Sequence, residues 1–233
     1  MLREAVASAR RLSIPAARVA DARLLSRWRD VPLTCRALDE PYSNFEDALR
    51  LSVRGDDWKT VSYREVFPLR DELSTGSAMC AARKVILRFE NIFPPSVFRV
   101  TADWMAADRE MKVGDRFVQS VDLLPPLGLL GTTCMNAVVR IYDEDERCGF
   151  TVVTTGEHDE VGEHTAWARL SRGGGDARAA SLVIESVSAS TFKAHVLGPA
   201  CWYARRLQGR AHLLGQQHLR GQVSKAISDL PAT

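Results

Sequence analysis

Long apolar runs are missing from this 233-residue sequence. None approaches the roughly 20 residues that a bilayer-spanning helix needs, so no integral membrane segment is expected. Cysteine is sparse and scattered: Cys35, Cys80, Cys134, Cys148 and Cys201 include no C-x-x-C pair, so neither a zinc knuckle nor thiol exchange is indicated and no metal is expected. An odd count in a chain large enough to bury its own core reads as free thiols in a reducing, intracellular compartment, the cytoplasm first among them. Charge of one sign is not in excess either. Thirty-one Lys and Arg face 29 Asp and Glu, for a net +2, which gives no footprint for a nucleic-acid partner. No G-x-S-x-G elbow occurs. Gly128-Leu-Leu-Gly131 and Gly173-Gly-Gly175 lack the Lys-Ser/Thr ending of a phosphate loop, and no cofactor is expected.

What is present begins with arginine. Residues 1–29 carry Arg3, Arg10, Arg11, Arg18, Arg23, Arg27 and Arg29, with Glu4 and Asp21 as the only acids. Leu2, Val6, Ala9 and Leu12 fall on one helical face. A basic surface helix and an organelle transit peptide both fit that pattern, whereas a secretory signal does not, for want of an apolar run after the first basic residue. Pro15, Pro32 and Pro41 divide the first 45 residues into short, mainly helical pieces. Residues 1–55 therefore read as an extension and residues 56–233 as the domain.

Within that domain the period changes several times. Lys59–Phe67 alternates as a half-buried strand, and Ala78, Ala82, Val85 and Phe89 recur at helical spacing. Pro94-Pro95-Ser96 is expected to open a second helix carrying Val97, Val100, Thr101 and Trp104. Strands are expected over Val113–Leu123, Gly131–Tyr142, Phe150–Thr154, Thr165–Ser171 and Leu182–Ser188. In the second of these, Met135, Ala137, Val139 and Ile141 are read as inward. That makes six strands. A seventh comes either from Ala48–Arg54 or from a break hidden at Pro125-Pro126. Gly198–Leu230 then reads as one long helix, with Tyr203, Leu207, Leu214 and Ile227 toward a core. The fold class is α+β: a curved antiparallel sheet of six to seven strands wrapped around a long C-terminal helix, with a mainly helical N-terminal extension. A sheet curved round a helix leaves room between them for an apolar ligand.

This element order resembles the helix-grip fold of the START-like superfamily, shared with the plant pollen-allergen (Bet v 1-like) and polyketide-cyclase proteins. The stretch Cys148-Gly-Phe-Thr-Val-Val-Thr-Thr-Gly-Glu-His-Asp-Glu-Val-Gly-Glu-His164 is similar to the signature of the family known as domain of unknown function 1990. Gly149, Phe150, Thr154, His158, Glu160, Gly162 and Glu163 coincide with that signature. Val152, Glu157, Asp159 and Ala189-Ser190 depart from it. Ser188, Gly198-Pro199 and Gln208 echo its later part. The resemblance implies the fold and a binding space rather than a reaction.

Three functions follow as expectations. The first is binding of a small apolar ligand, lipid or isoprenoid-like, lined by Trp104, Phe117, Met135, Val139, Phe150, Trp167, Tyr203 and Leu207. The second is a cyclase or hydrolase in which His158, with Glu160 or Glu163, moves a proton, since a carboxylate beside an imidazole raises its basicity. The third is an interaction subunit. It would dock on a larger assembly through the basic, Ala-rich N-terminus, with residues 1–55 needed, and through the basic C-terminal helix of Arg205, Arg206, Arg210, Arg220 and Lys225, which also suits a protein or membrane surface.

Overall fold

The computed structural model describes residues 31–34, 41–52, 57–69, 74–88, 98–122, 131–156, 160–172, 180–193 and 199–231. Residues 1–30, with the transit-peptide pattern, and the Pro94-Pro95 and Pro125-Pro126 pairs lie outside them.

Asn44 accepts the Asp47 amide at 2.9 Å and so caps α1 (Phe45–Leu51), whose first turn also holds Glu46 and Asp47 against the helix dipole. Strand β1 (Lys59–Pro68) follows. Helix α2 (Thr75–Ile86) buries the small and apolar face Ala78, Met79, Ala82, Val85 and Ile86. Then come β2 (Phe98–Ala102), the single turn α3 (Asp103–Ala106), and the meander β3 (Arg116–Asp122), β4 (Gly131–Glu144), β5 (Arg147–Thr154), β6 (Glu160–Arg172) and β7 (Ala180–Phe192). Helix α4 (Pro199–Ser228) ends the chain's regular structure. The strands form one seven-stranded antiparallel sheet in the order β1-β7-β6-β5-β4-β3-β2, so the first strand closes against the last. Helix α4 packs on β1, β7 and α2. An α+β fold with the C-terminal helix laid on an antiparallel sheet is the helix-grip arrangement that the element order implies.

The seventh strand is β2, and neither of the expected sources supplies it. Ala48–Arg54 cannot, because its described part, 48–52, lies in α1 and its C-cap. The helix expected over Val97–Trp104 shrinks to Asp103–Ala106. Val100 and Thr101 are β-branched and take extended backbone beside β3, opposite Gln119 and Val118.

Apolar side chains cover both faces of the sheet. On the inner face, under α4 and α2, lie Cys148, Phe150 and Val152 of β5, Ala166 and Ala168 of β6, and Leu182 and Ile184 of β7. Leu219 and Val223 of α4 and Val85 and Ile86 of α2 pack on them. On the outer face, Tyr142, Trp167 and Val187 are covered by Tyr42 and Ala48 from the N-terminal segment. Trp167 and Tyr142 meet edge to face at 5.5 Å. Beside them the Glu185 carboxylate is fully buried. It accepts from Trp167 Nε1 at 2.6 Å and from the Arg169 guanidinium at 3.0 and 3.1 Å, and pairs with Arg64 at 3.2 Å. Gly149 makes this layer possible, since a Cβ there would stand 2.2 Å from the Ala166 carbonyl and 2.5 Å from Trp167 Cβ.

A β-bulge decides which side chains of β4 face α4. Val138 pairs with Val152, but the next pair is Arg140 with Thr151, so Val139 is the extra residue and the alternation changes phase there. Val138 before the bulge and Ile141 after it both join the inner core. Met135, read from strict alternation as an inward partner of Ile141, instead packs with Val118 and Val31 on the outer face.

Candidate functional site

The inner face is not uniform along its length. Toward the β5–β4 turn it is apolar on every element. Further along, three elements change together. The inward positions of β7 pass from Leu182 and Ile184 to Ser186, Ser188 and Ser190, and those of β6 from Ala168 and Ala166 to His164, Gly162 and Glu160. The facing side of α4 runs from Val223 and Leu219 to Gln216, His212 and Gln208. Gly162 is required at its place because a Cβ would come within 2.5 Å of Ser190 Cβ. Small side chains on the strands and amide or imidazole groups on the helix thus face each other across the same interval.

His164 stands between Val152 and Ser188 on the neighbouring strands. Its ring lies 6.1 Å from the Phe150 ring and 5.5 Å, edge to face, from His212. His212 Nε2 lies 3.4 Å from Ser186 Oγ. One helical turn along α4, on the same side as His212, is Gln216. Two buried atoms here, His164 Nε2 and Gln216 Oε1, have no hydrogen-bond partner among the described residues. Burial pulls both imidazoles down from their usual value, His164 to about 3, with help from neighbouring His212, and His212 to about 4, so both rings are neutral at pH 7.

The end of this interval nearest the start of α4 is closed by a polar lattice. Gln208 Nε2 donates to Ser190 Oγ at 2.6 Å and to the Glu160 carboxylate. Arg205 donates to Ser190 Oγ at 3.1 Å and to Gln208 Oε1 at 3.2 Å, with its guanidinium 4.6 Å over the Phe192 ring. Among the described residues no three His, Cys, Asp or Glu side chains gather as a metal ion would require.

Of the residues singled out in the sequence, Trp104, Phe117 and Phe150 lie in the inner core. Trp104 and Phe117 meet edge to face at 5.5 Å, and Trp104 Nε1 donates to the Arg88 carbonyl at 3.0 Å. Met135 and Trp167 are placed on the outer face, and Val139 in the bulge. Tyr203 and Leu207 belong to α4, but their side chains are not among those described, and His158 lies outside the described residues. Glu160 and Glu163 point to opposite faces. Glu160 meets Gln208 inside, while Glu163 is buried outside, where it accepts from the Tyr42 hydroxyl. Burial pushes the Glu163 carboxyl up to about 7. His164, His212 and Gln216 were not among the lining or catalytic candidates. The signal for His164 was its place two residues after an inward Gly162 and two before an inward Ala166. For the helix it was the 208-212-216-219-223 stripe, which mixes polar and apolar residues and so escapes a search for apolar period. On the other side of α4, Trp202 is 60% exposed with Arg206 4.6 Å over its ring, and Leu213 is exposed as well.

No family model and no curated protein matches the chain. Several solved structures are similar in outline. A point mutant of norcoclaurine synthase from Thalictrum flavum, in complex with a transition-state analogue, aligns at 11% identity over 74% of this chain and 95% of its own, with a TM-score of 0.43. Ara h 8.0201 aligns at 10% identity over 74% and 99%, with a TM-score of 0.40. Hypothetical protein jhp0584 from Helicobacter pylori aligns at 14% identity over 81% and 95%, with a TM-score of 0.47. At such values no residue role or ligand carries across, and function rests on the side chains of this chain.

Proposed function

We propose that the protein is a START-like binding domain, related to the domain of unknown function 1990 family, that holds a small apolar molecule of the lipid or isoprenoid kind between the sheet and α4 in a reducing, intracellular compartment. The observation that carries this reading is the coincident change on β6, β7 and α4 from a packed apolar core to small and polar side chains, with two buried polar atoms left without partners. Cores are normally filled to close packing, and buried polar groups are normally paired. An interval of serines, a glycine and neutral imidazoles flanked by Phe150 and Val152 sets convergent polar groups beside an apolar wall, as a ligand site does.

Native mass spectrometry of the purified protein, paired with organic extraction and lipid analysis, tests the proposal. A bound apolar molecule of defined mass is expected, lost when Ser188→Phe fills the interval. Protein that emerges empty, and that neither takes up nor retains the neutral dye Nile red, would overturn the reading.

A further inference from the structure

The unpartnered atoms specify more than the presence of a ligand. Gln216 Oε1 can only accept a hydrogen bond, so whatever completes it must donate. His164 Nε2 belongs to an imidazole whose edge neighbour, His212, has Ser186 within 3.4 Å. A neutral ring offers either a donor or an acceptor there, according to its tautomer. One ligand atom that donates to the amide and accepts from the ring satisfies both. A hydroxyl does this, a carbonyl accepts only, and a hydrocarbon does neither.

The charges nearby argue against an ionised ligand. Arg205 is engaged by Ser190, Gln208 and the Phe192 ring, and Glu160 by Gln208. Glu65, on β1, accepts from Tyr63 at 2.8 Å and pairs with Arg220 of α4 at 3.2 Å. Arg205, Glu160, Glu65 and Arg220 thus each have a protein partner, and Lys59, opposite Ser190 on β1, is exposed to solvent. The lowered basicity of the two rings supports the same conclusion, since neither brings a cation to meet a carboxylate.

Resting on the binding function proposed above, we infer that the ligand is an apolar molecule ending in an uncharged hydroxyl, an alcohol rather than an acid, with that hydroxyl held by His164 and Gln216 beside His212. Its chain would lie along the serine-lined strands, with Phe150 and Val152 as apolar wall.

Displacement of bound Nile red by matched series tests the inference: decanol, decanoate and decane, and farnesol, farnesoate and farnesene. The alcohol is expected to displace the dye at about tenfold lower concentration than its acid or hydrocarbon, the effect of one or two neutral hydrogen bonds otherwise left unmade. Gln216→Leu and His164→Phe, each checked for cooperative thermal unfolding, are expected to bring the alcohol to the level of the hydrocarbon. An acid that displaces as well as the alcohol, or an alcohol preference that survives both substitutions, would overturn the inference while leaving the binding function standing. If neither the dye nor any competitor binds, the binding function itself falls, and this inference with it.

Discussion

On the outer face of the sheet a fully buried carboxylate, Glu185, is met by an indole N–H and two guanidinium groups. On the inner face, a few residues away along the same strands, a buried imidazole nitrogen and a buried amide oxygen are met by nothing among the described residues. Ionised groups are costlier to bury than neutral ones, so a lone Glu185 would not be tolerated. The outer side does hold exceptions, but each is a single hydroxyl on a different element: Ser52 at the end of α1, Thr60 on β1 and Thr155 after β5. Among the described residues, only on the inner face do unpaired polar groups come from two elements that face each other. A closed network holds structure together, whereas the open one between strand and helix is where the proposed ligand would bind.

Three experiments press on this contrast. The largest effect is expected from Glu185→Ala, which strands Trp167 Nε1 in the interior and leaves Arg64 and Arg169 without their carboxylate. Urea unfolding should show a loss of about 3 kcal/mol, below the full cost of orphaning buried charges because both guanidinium groups reach solvent. Ligand affinity should not change. A loss of affinity without a loss of stability would break the division between the two faces.

The second effect is a pair of opposite pH slopes. His164 and His212 are held below their unfolded value of about 6.5, so the folded state binds fewer protons, and stability is lost as pH falls from 6.5 toward 4. Glu163 is held above its ordinary 4.5, so its contribution is present at low pH and is lost as pH rises through about 7. Glu163→Gln keeps an acceptor for Tyr42 and should stabilise the protein by about 1 to 2 kcal/mol more at pH 8 than at pH 5. His164→Phe should flatten the acid limb and leave the alkaline one as it was. Unfolding curves across pH 4–9 separate the two.

The smallest effect has the most informative sign. Gln216→Leu removes a buried acceptor that has no partner, so stability should stay level or rise by up to about 1 kcal/mol. A loss above 1 kcal/mol in the ligand-free protein would mean that Gln216 is structural and that the inner network is closed after all.

Much of the frame was legible in the sequence, because strand alternation and the long C-terminal period are local signals. The stretch Cys148–His164 matches no family model, but the structure gives several of its residues physical tasks. Gly149 and Gly162 clear close neighbours, Phe150 fills the core, and the Thr154 hydroxyl accepts from the Gly162 amide at 2.9 Å. What alternation could not supply was its own phase. One extra residue at Val139 turned Met135 from the inner face to the outer, and nothing within β4 announces the bulge. Trp167 was equally ambiguous, since large aromatics fill both faces of a sheet that is covered on both sides. The strand β2 was hidden by a helical spacing of Val97, Val100, Thr101 and Trp104 that its pairing with β3 overrode. The polar interval depends on three elements being in register, which no single stretch of sequence displays.

Arg147 has a consequence for the order of events as the chain is made. Its guanidinium stacks 4.7 Å from the Tyr142 ring and donates to the Tyr42 and Ser43 carbonyls at 2.8 and 3.0 Å, fastening an early segment to a late hairpin. Tyr42 and its partner Glu163 are 121 residues apart. At a synthesis rate of roughly 5 to 20 residues per second, Tyr42 is added to the chain some 6 to 24 s before its acceptor. The N-terminal segment is thus translated first and docks among the last, and until then the aromatic layer of the nascent sheet stays open to water and to chaperones.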